Sequence, residues 1–564
     1  MLMIFVDPSG DDSGPGTIER PFATLDRARA AAEPGSVVNL RAGTYRLTGT
    51  FSLSAADSGV VYQAFGYGTG AQEEVVISGG RQINGWRQDD DGVCRAAVPG
   101  LATRQLYVAG RRAPRAAIAI DQGLVRTETG YVIADPAPRS WQGQVEFVYR
   151  GAYPWSEARC QASRISGDEQ STTITMAQPA FAWAAQLYRS VITWDDPNAG
   201  EQNGLDSPTS AENSPAFLTE GSFALADGVL HYLPRPGEEL DDAVVAPVLE
   251  TLLHARDVHD IAFRGITFAD ATWLRPSSPE GFLHYHGNGY HDGGPLHTIV
   301  FADGQGQVVV PGDATAMPGN VVFENSSRVV LEGCRFTRLG AVALEFRGAG
   351  DGNALRDSVI DEVAGGGLVI GEGARGHRIE NNHIHHIGQD YSGSPAVLLS
   401  GTRDTVIAHN QVNDAPHAGI VVYEGHGTQV LNNLVHDTMK VLADGGGIYI
   451  SGSQGSSHAD GALIRGNVVR DTITSYNFGL YTDYGAAWVT VQGNVVHRAA
   501  SPIALEMSPP LEHVAFIGNF WDADPGEPPE GVALADNTTL PADAFGDDPS
   551  VAGIMTAAGR TPRG

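Results

Sequence analysis

The chain has 564 residues and a formal net charge of −30, and 42% of its residues are hydrophobic. So large a negative charge disfavours nucleic acid, an anionic membrane or a polyuronate as a partner, because each would be repelled, whereas neutral sugars are not penalised. Cys94, Cys160 and Cys334 are too few and too widely spaced to predict a disulfide framework or a zinc site, and we expect neither a metal nor a cofactor.

The N-terminal third predicts a capped stack of strands followed by an insert. MLMIFVDPSG has no basic stretch and too short an apolar run for a signal peptide, so we expect a cytoplasmic protein. A short amphipathic helix is predicted near residues 22–33, where it would cap the open end of the stack. Residues 1–102 are predicted to form this cap and the first coils, and residues 103–244, where the pattern disappears, an inserted β-rich subdomain.

A repeat begins near residue 330, with the form apolar-x-x-(Asn or a small residue)-x-apolar. Its fourth position falls at Cys334, Ser358, Asn382, Asn410, Asn433, Asn467, Asn494 and Asn519. Steps of 23 to 34 residues between short Val- and Ile-rich runs predict the coils of a solenoid with loop insertions, and argue against helical repeats. The asparagines are predicted to form an internal ladder that satisfies buried backbone groups.

The predicted fold is therefore all-β: a right-handed parallel β-helix with an inserted subdomain and a short N-terminal capping helix. Residues 245–530 are predicted to form its main body, interrupted by a Gly- and His-rich excursion from about residue 273 to 320. The Pro-, Asp- and Ala-rich residues 531–564 are predicted to be a C-terminal cap or a loose tail.

The strands that follow each turn predict a column of acids and hydroxyls. Aligning VALEF, LVIGE, VLLSG, IVVYE, IYISG, LYTDY and IALEM gives the column Glu345, Gly371, Ser400, Tyr423, Ser451, Asp483 and Glu506. Neighbouring strands lie about 4.7–4.9 Å apart, close to the 5–5.5 Å or so that a retaining glycosidase requires between its two carboxyl groups. Asp483 and Glu506 are thus a candidate catalytic pair, although such a column is also compatible with an ordinary solvated face.

Other residues around this column are candidates for the same site. Asp444 lies in a Gly-rich bend one coil before Asp483, where it either serves the reaction or caps a turn. Candidate substrate contacts are Glu345, Tyr423, Glu424, Tyr449, Tyr481, Trp273, His284 and Lys440. The histidines of FLHYHGNGYHDGG and NHIHHIG are predicted to line a pocket or meet solvent rather than to bind a metal.

Four stretches, the FVDPSGDDSGPGT opening, ISGGRQINGW, LADGGGIYISG and GLYTDYG with IALEM, resemble the parallel β-helix glycoside hydrolases, above all families 120 and 141. The resemblance to family 120, which contains retaining β-xylosidases, implies Asp483 as nucleophile and Glu506 as acid/base. The resemblance to family 141, known for α-L-fucosidase and xylanase activities, implies two aspartates, at Asp444 and Asp483.

We therefore predict a glycosidase, exo-acting and retaining, on short neutral oligosaccharides or glycosides of the β-xyloside or α-L-fucoside kind. Catalysis by Asp444 and Asp483 across a wider gap would instead predict inversion. A β-helix polysaccharide lyase with Lys440 as base is a further alternative, poorly matched to so acidic a chain, and a non-catalytic carbohydrate-binding β-helix is another. No nucleic-acid or membrane partner is predicted, and the oligomeric state is left open.

Overall fold

The computed structural model describes residues 2–120, 123–190, 204–301, 306–541 and 543–561 and divides into two compact units. The first unit comprises residues 1–79, 251–269 and 318–564, and the second comprises residues 80–250 and 270–317. Its helices are α1 (Leu25–Ala31), α2 (Ala180–Leu187) and α3 (Pro549–Ala557). Within the described ranges, no helix is long and apolar enough to cross a membrane.

The first unit is a stack of parallel strands in which each coil pairs with the coil one repeat later. The larger sheet contains Met3–Val6, Val37–Leu40, Phe51–Leu53, Val61–Ala64, Leu253–Arg256, Ala262–Arg264, Gly319–Glu324, Val330–Glu332, Val342–Arg347, Gly350–Asp351, Ala354–Arg356, Leu368–Ile370, Ala374–Arg375, Arg378–Glu380, Val397–Arg403, Val406–Ala408, Ile420–His426, Gln429–Leu431, Gly446–Ser453, Ala462–Arg465, Phe478–Gln492, Ser501–Ile503, Glu512–Ile517 and Val532–Ala535. The smaller sheet contains Gly43–Arg46, Val75–Ser78, Ile266–Ala269, Arg335–Leu339, Val359–Val363, His383–His385, Gln411–Asn413, Leu434–Thr438, Val468–Thr472, Val495–His497, Phe520–Trp521 and Thr538–Thr539. Sheets built this way form a parallel β-helix, as predicted.

An asparagine ladder runs through the interior of the first unit. Each side-chain oxygen accepts the backbone N–H of the ladder residue one coil earlier, as Asn410 does for Asn382 (3.0 Å) and Asn467 for Asn433 (2.8 Å). Each Nδ2 donates to a carbonyl of the preceding coil, so the buried polar groups are paired. The predicted ladder is confirmed, and it continues one coil beyond the prediction to Asn537.

The N-terminal helix is confirmed in a shorter form. α1 begins after Thr24, whose hydroxyl accepts the N–H of Arg27 at 3.2 Å and so satisfies one of the unpaired donors of the first turn. Leu25 and Ala28 are its buried residues.

The C-terminal segment is structured rather than a loose tail. Val532–Ala535 and Thr538–Thr539 add a further coil in parallel register. Asp548 then caps α3 by accepting the N–H groups of Ser550 and Val551, and the buried side chain of Val551 packs in a cluster with Val468 and Val495. Of the two predicted alternatives for residues 531–564, a cap or a loose tail, this apolar contact contradicts the loose tail.

The second unit is built of antiparallel strands. Its largest sheet contains Ala117–Ala119, Val125–Thr127, Gly130–Ile133, Glu146–Arg150, Glu157–Gly167, Thr172–Met176, Ser210–Glu212, Phe282–His286, Gly289–His291 and Thr315–Ala316. Smaller sheets contain Gly80–Gln82, Leu106–Val108, Arg111–Ala113 and Val244–Pro247; Arg87–Gln88, Cys94–Ala97, Phe223–Ala226 and Val229–Tyr232; and Leu296–Val300 with Gln307–Pro311.

This unit is larger than the predicted insert of residues 103–244. It begins at Gly80 because Gly80–Gln82 pairs with Val244–Pro247 across the insert. It also includes the Gly- and His-rich excursion, because Phe282–His286 pairs with Glu157–Gly167. Neither pairing joins residues that are close in sequence.

Candidate active site

The predicted column is correct for four consecutive coils. Ser400 pairs with Tyr423, Tyr423 with Ser451, and Ser451 with Asp483. All four side chains are partly exposed. A single outward-facing column therefore leads along the sheet to Asp483.

Glu506 follows Asp483 on the next coil. Leu480 pairs with Ile503, an offset of 23 residues that also separates Asp483 from Glu506. The paired strand ends at Ile503, and pairing resumes with an offset of 25 residues between Ala487 and Glu512, so Glu506 lies in the stretch of the next coil where the register changes. Glu506 is exposed.

Glu345 does not belong to this column. It pairs with Val369, so the predicted register was wrong by two residues in this coil. Its carboxylate accepts the N–H of Gly319 at 2.8 Å and pairs with Arg347 at 2.7 Å. Glu345 instead shares a column with Tyr449 and Tyr481, several coils away from them.

Two tyrosines connect the two candidate aspartates to neighbouring coils. The hydroxyl of Tyr449 donates to Oδ2 of Asp483 at 2.6 Å, and the hydroxyl of Tyr481 donates to Oδ1 of Asp444 at 2.8 Å. The two tyrosines are register neighbours with ring centroids 5.1 Å apart. Each hydroxyl therefore crosses from its own coil to the acid of the other.

These surroundings give the two aspartates different proton affinities. Burial and the charge of Asp483 raise the pKa of Asp444 to about 7, although the Tyr481 hydroxyl opposes the rise. Burial also raises the pKa of Asp483, but the Tyr449 hydroxyl and the N–H of Tyr484, 2.7 Å from Oδ1, favour its ionised form. Asp483 is thus the carboxyl group that ionises first, and Asp444 the one that holds its proton near neutral pH.

A buried histidine supports the bend that carries Asp444. His417 is 3% exposed, and its Nε2 lies 3.1 Å from the carbonyl oxygen of Ala443. The bend has positive φ at Asp444 (+54°), whose N–H donates to the carbonyl of Tyr476 at 2.9 Å. His417 could not be predicted from the sequence, because a lone histidine 26 residues before its partner forms no pattern.

The remaining candidates are distributed over both units. Tyr423 packs edge-on against Tyr449 with ring centroids 5.9 Å apart. Lys440 is 44% exposed and forms an ion pair with Asp414 at 2.8 Å. Trp273 and His284 lie in the second unit, 4% and 1% exposed, and this burial leaves their rings little surface for a ligand.

The histidine-rich stretches form no metal centre in the described part of the chain, where no group of three or more His, Cys, Asp or Glu side chains is arranged to hold an ion. His385 and His386 instead approach each other, with their Nδ1 atoms 2.7 Å apart. His383 lies 2.8 Å from the side-chain oxygen of Asn413 through its Nε2.

Comparison with known proteins agrees with this architecture. The family model described as a right-handed β-helix region matches residues 316–469. The fold is a right-handed parallel β-helix. A solved structure described as a glycoside hydrolase is similar to this β-helix protein over 100% of the chain and 99% of its own, with a TM-score of 0.77 and 22% identity.

Two further similarities are more limited. A solved structure of XylC in complex with xylose covers 92% of this chain and 75% of its own, with a TM-score of 0.52 and 14% identity. The uncharacterized protein YwoF of Bacillus subtilis (strain 168) is 38% identical over 76 residues, which is 14% of this chain and 15% of that relative. The resemblance to β-helix glycoside hydrolases is confirmed at the level of the fold.

Proposed function

We propose that this β-helix protein is a retaining glycoside hydrolase that acts on short, neutral glycosides. The observation that carries the proposal is the setting of Asp483: its carboxylate faces outward, accepts hydrogen bonds from Tyr449 and Tyr484, and is followed on the next coil by the exposed side chain of Glu506. Adjacent coils lie about 4.8 Å apart, which suits the separation of about 5–5.5 Å that retaining glycosidases use.

In this mechanism the Asp483 carboxylate attacks the anomeric carbon while Glu506 protonates the departing oxygen, so that the glycosidic C–O bond breaks as the glycosyl–aspartyl bond forms. Glu506 then removes a proton from water, and the water oxygen attacks the same carbon and releases Asp483. The two donors on Asp483 stabilise the ionised form that the first step consumes. Two inversions at one carbon give net retention.

Asp444 provides a specific alternative for the acid. Its raised pKa supplies a proton near neutral pH, and Tyr481, on the coil that carries Asp483, donates a hydrogen bond to it. If Asp444 were the acid and Asp483 the base for an attacking water, the product would be inverted. In the retaining mechanism, Asp444 would instead donate a hydrogen bond to a substrate hydroxyl.

Short and neutral substrates are favoured by two features. In the column that leads away from Tyr449, the outward positions Val421, Leu398 and Val369 are 2%, 5% and 8% exposed, so a saccharide is confined to the neighbouring column that ends at Asp483. The ionised carboxylate of Asp483 would also repel a uronate. Xylose in the XylC complex makes a β-xyloside a reasonable first substrate, and Lys440, bound to Asp414, is poorly placed to serve a lyase.

The test is a panel of nitrophenyl glycosides headed by β-D-xyloside and α-L-fucoside, with the anomer of the first-formed product read by proton NMR. We expect turnover with retention, loss of at least about 10³-fold in kcat for Asp483→Asn, and a comparable loss for Glu506→Gln. Glu512→Gln removes another exposed glutamate six residues on and serves as the matched control. Inversion, with activity abolished by Asp444→Asn but retained by Glu506→Gln, would move the acid to Asp444. An ultraviolet-absorbing unsaturated product would instead show a lyase.

A further inference from the structure

The residue after Asp483 has a left-handed backbone conformation, with positive φ. The equivalent residue has the same conformation in each of the three preceding coils, and we call these four positions the corner residues. The corner residues are Gly401, Glu424, Gly452 and Tyr484, with φ of +61°, +43°, +68° and +36°. Glycine adopts this conformation freely, whereas a residue with a Cβ atom is strained there. Alternate coils therefore place a large side chain where their neighbours use glycine.

The Glu424 side chain occupies the space above the next glycine. A Cβ atom added at Gly452 would lie 2.7 Å from Cγ of Glu424, so this side chain extends from its own coil toward the coil of Asp483. Glu424 is exposed, and within the described residues its carboxylate has no ion pair or hydrogen bond. A strained, unpaired carboxylate beside the site brings no stability to the fold that glycine would not.

Tyr484 is the corner residue on the coil that carries Asp483. Its side chain is 43% exposed, and its backbone N–H is the group that donates to Oδ1 of Asp483. The Tyr484 side chain therefore extends from the residue adjacent to the proposed nucleophile. With the glycine coil between them, the Glu424 and Tyr484 backbones are about 10 Å apart, two strand spacings, so one sugar ring bound at Asp483 could contact both side chains.

We propose that Glu424 and Tyr484 form the subsite that selects the sugar bound at Asp483, an inference that rests on the proposed glycoside hydrolase function. The Tyr484 ring packs against the face of the sugar, and the Glu424 carboxylate accepts hydrogen bonds from its hydroxyl groups. The subsite takes an uncharged ring with free hydroxyls. It rejects the corresponding uronide, whose carboxylate would face that of Glu424.

The test replaces each corner residue by the glycine that its neighbours use. Glu424→Gly and Tyr484→Gly relieve the backbone strain, so their melting temperatures should not fall, while KM for the best panel glycoside rises by at least about tenfold, as expected for loss of a hydrogen bond to a charged group. Glu362→Gly is the matched control, since Glu362 has φ of +52° in the smaller sheet. It should leave KM unchanged.

KM and ligand binding distinguish the loss of the proposed subsite from the absence of hydrolase activity. Wild-type turnover with KM unchanged in both glycine variants would overturn the subsite and leave the hydrolase intact, as would a fall in melting temperature that accounted for the lost activity. If no glycoside is cleaved, saturation-transfer NMR with D-xylose and L-fucose tests the subsite directly. Equal signals for wild type and Glu424→Gly, including no signal for either, would overturn it.

Discussion

The Tyr449 hydroxyl offers a direct test of how Asp483 is kept ionised. Tyr449→Phe removes the donor 2.6 Å from Oδ2 of Asp483 and leaves only the N–H of Tyr484. A hydrogen bond to a charged group contributes about 1.5–3 kcal/mol, and one pKa unit corresponds to about 1.36 kcal/mol. The pKa of Asp483 should therefore rise by about one to two units.

The assay is the pH dependence of kcat/KM for the best nitrophenyl glycoside. A nucleophilic carboxylate works above its pKa and fails as the pH falls through it, so the acidic limb of the variant should lie about one to two pH units higher. Tyr45→Phe is the matched control, because it removes a buried hydroxyl that donates to the carbonyls of Val6 and Arg41 in the same unit. An acidic limb that stays in place, or that Tyr45→Phe moves equally, would refute the role of Tyr449.

Three further predictions concern the bend, the proton on Asp444 and the ladder. His417→Gln should lower kcat about tenfold, because His417 supports the bend that carries Asp444. His377→Gln removes another buried imidazole and should lower only the melting temperature. Because the pKa of Asp444 is raised to about 7 in the fold from about 3.9 in an unfolded chain, wild type should lose stability as the pH rises from about 4 to 7. Asp444→Asn should gain melting temperature relative to wild type over that window, and an equal difference at both ends would count against the shift. Asn433→Ala should cost about 2–4 kcal/mol in urea unfolding, since it strands buried backbone groups.

The fold was predictable because its repeat leaves a one-dimensional record in the sequence. In each of these coils, one residue must accept the backbone N–H of the ladder residue one coil earlier and also donate to a carbonyl. An Asn side chain can do both, so Asn recurs at this position of the repeat. Antiparallel pairings such as Gly80–Gln82 with Val244–Pro247 leave no such record, so the bounds of the second unit could not be predicted.

The alternation of apolar and polar residues along a strand predicts which side chains face outward, but not the exact register between coils. A shift of one residue turns every side chain to the opposite face, but a shift of two preserves the alternation of apolar and polar positions. The alignment was therefore correct from Ser400 to Asp483 and wrong by two at Glu345, where both registers present the same pattern. The crossed hydrogen bonds of Tyr449 and Tyr481 depend on side-chain reach between coils, which no periodicity encodes.

The C-terminal segment limits the number of coils that the β-helix can contain. After α3 the chain runs back past the final coils: Gly559 donates its N–H to the carbonyl of Asn432, and Thr561 donates to the side-chain oxygen of Asn381 at 2.7 Å. Each additional coil would lengthen the stack by about 4.8 Å and carry these anchor points out of reach of a return segment of fixed length. Duplication of a coil, the simplest way for a repeat protein to grow, is therefore opposed between Asn381 and the C-terminal end, and this stretch is held to a set number of turns.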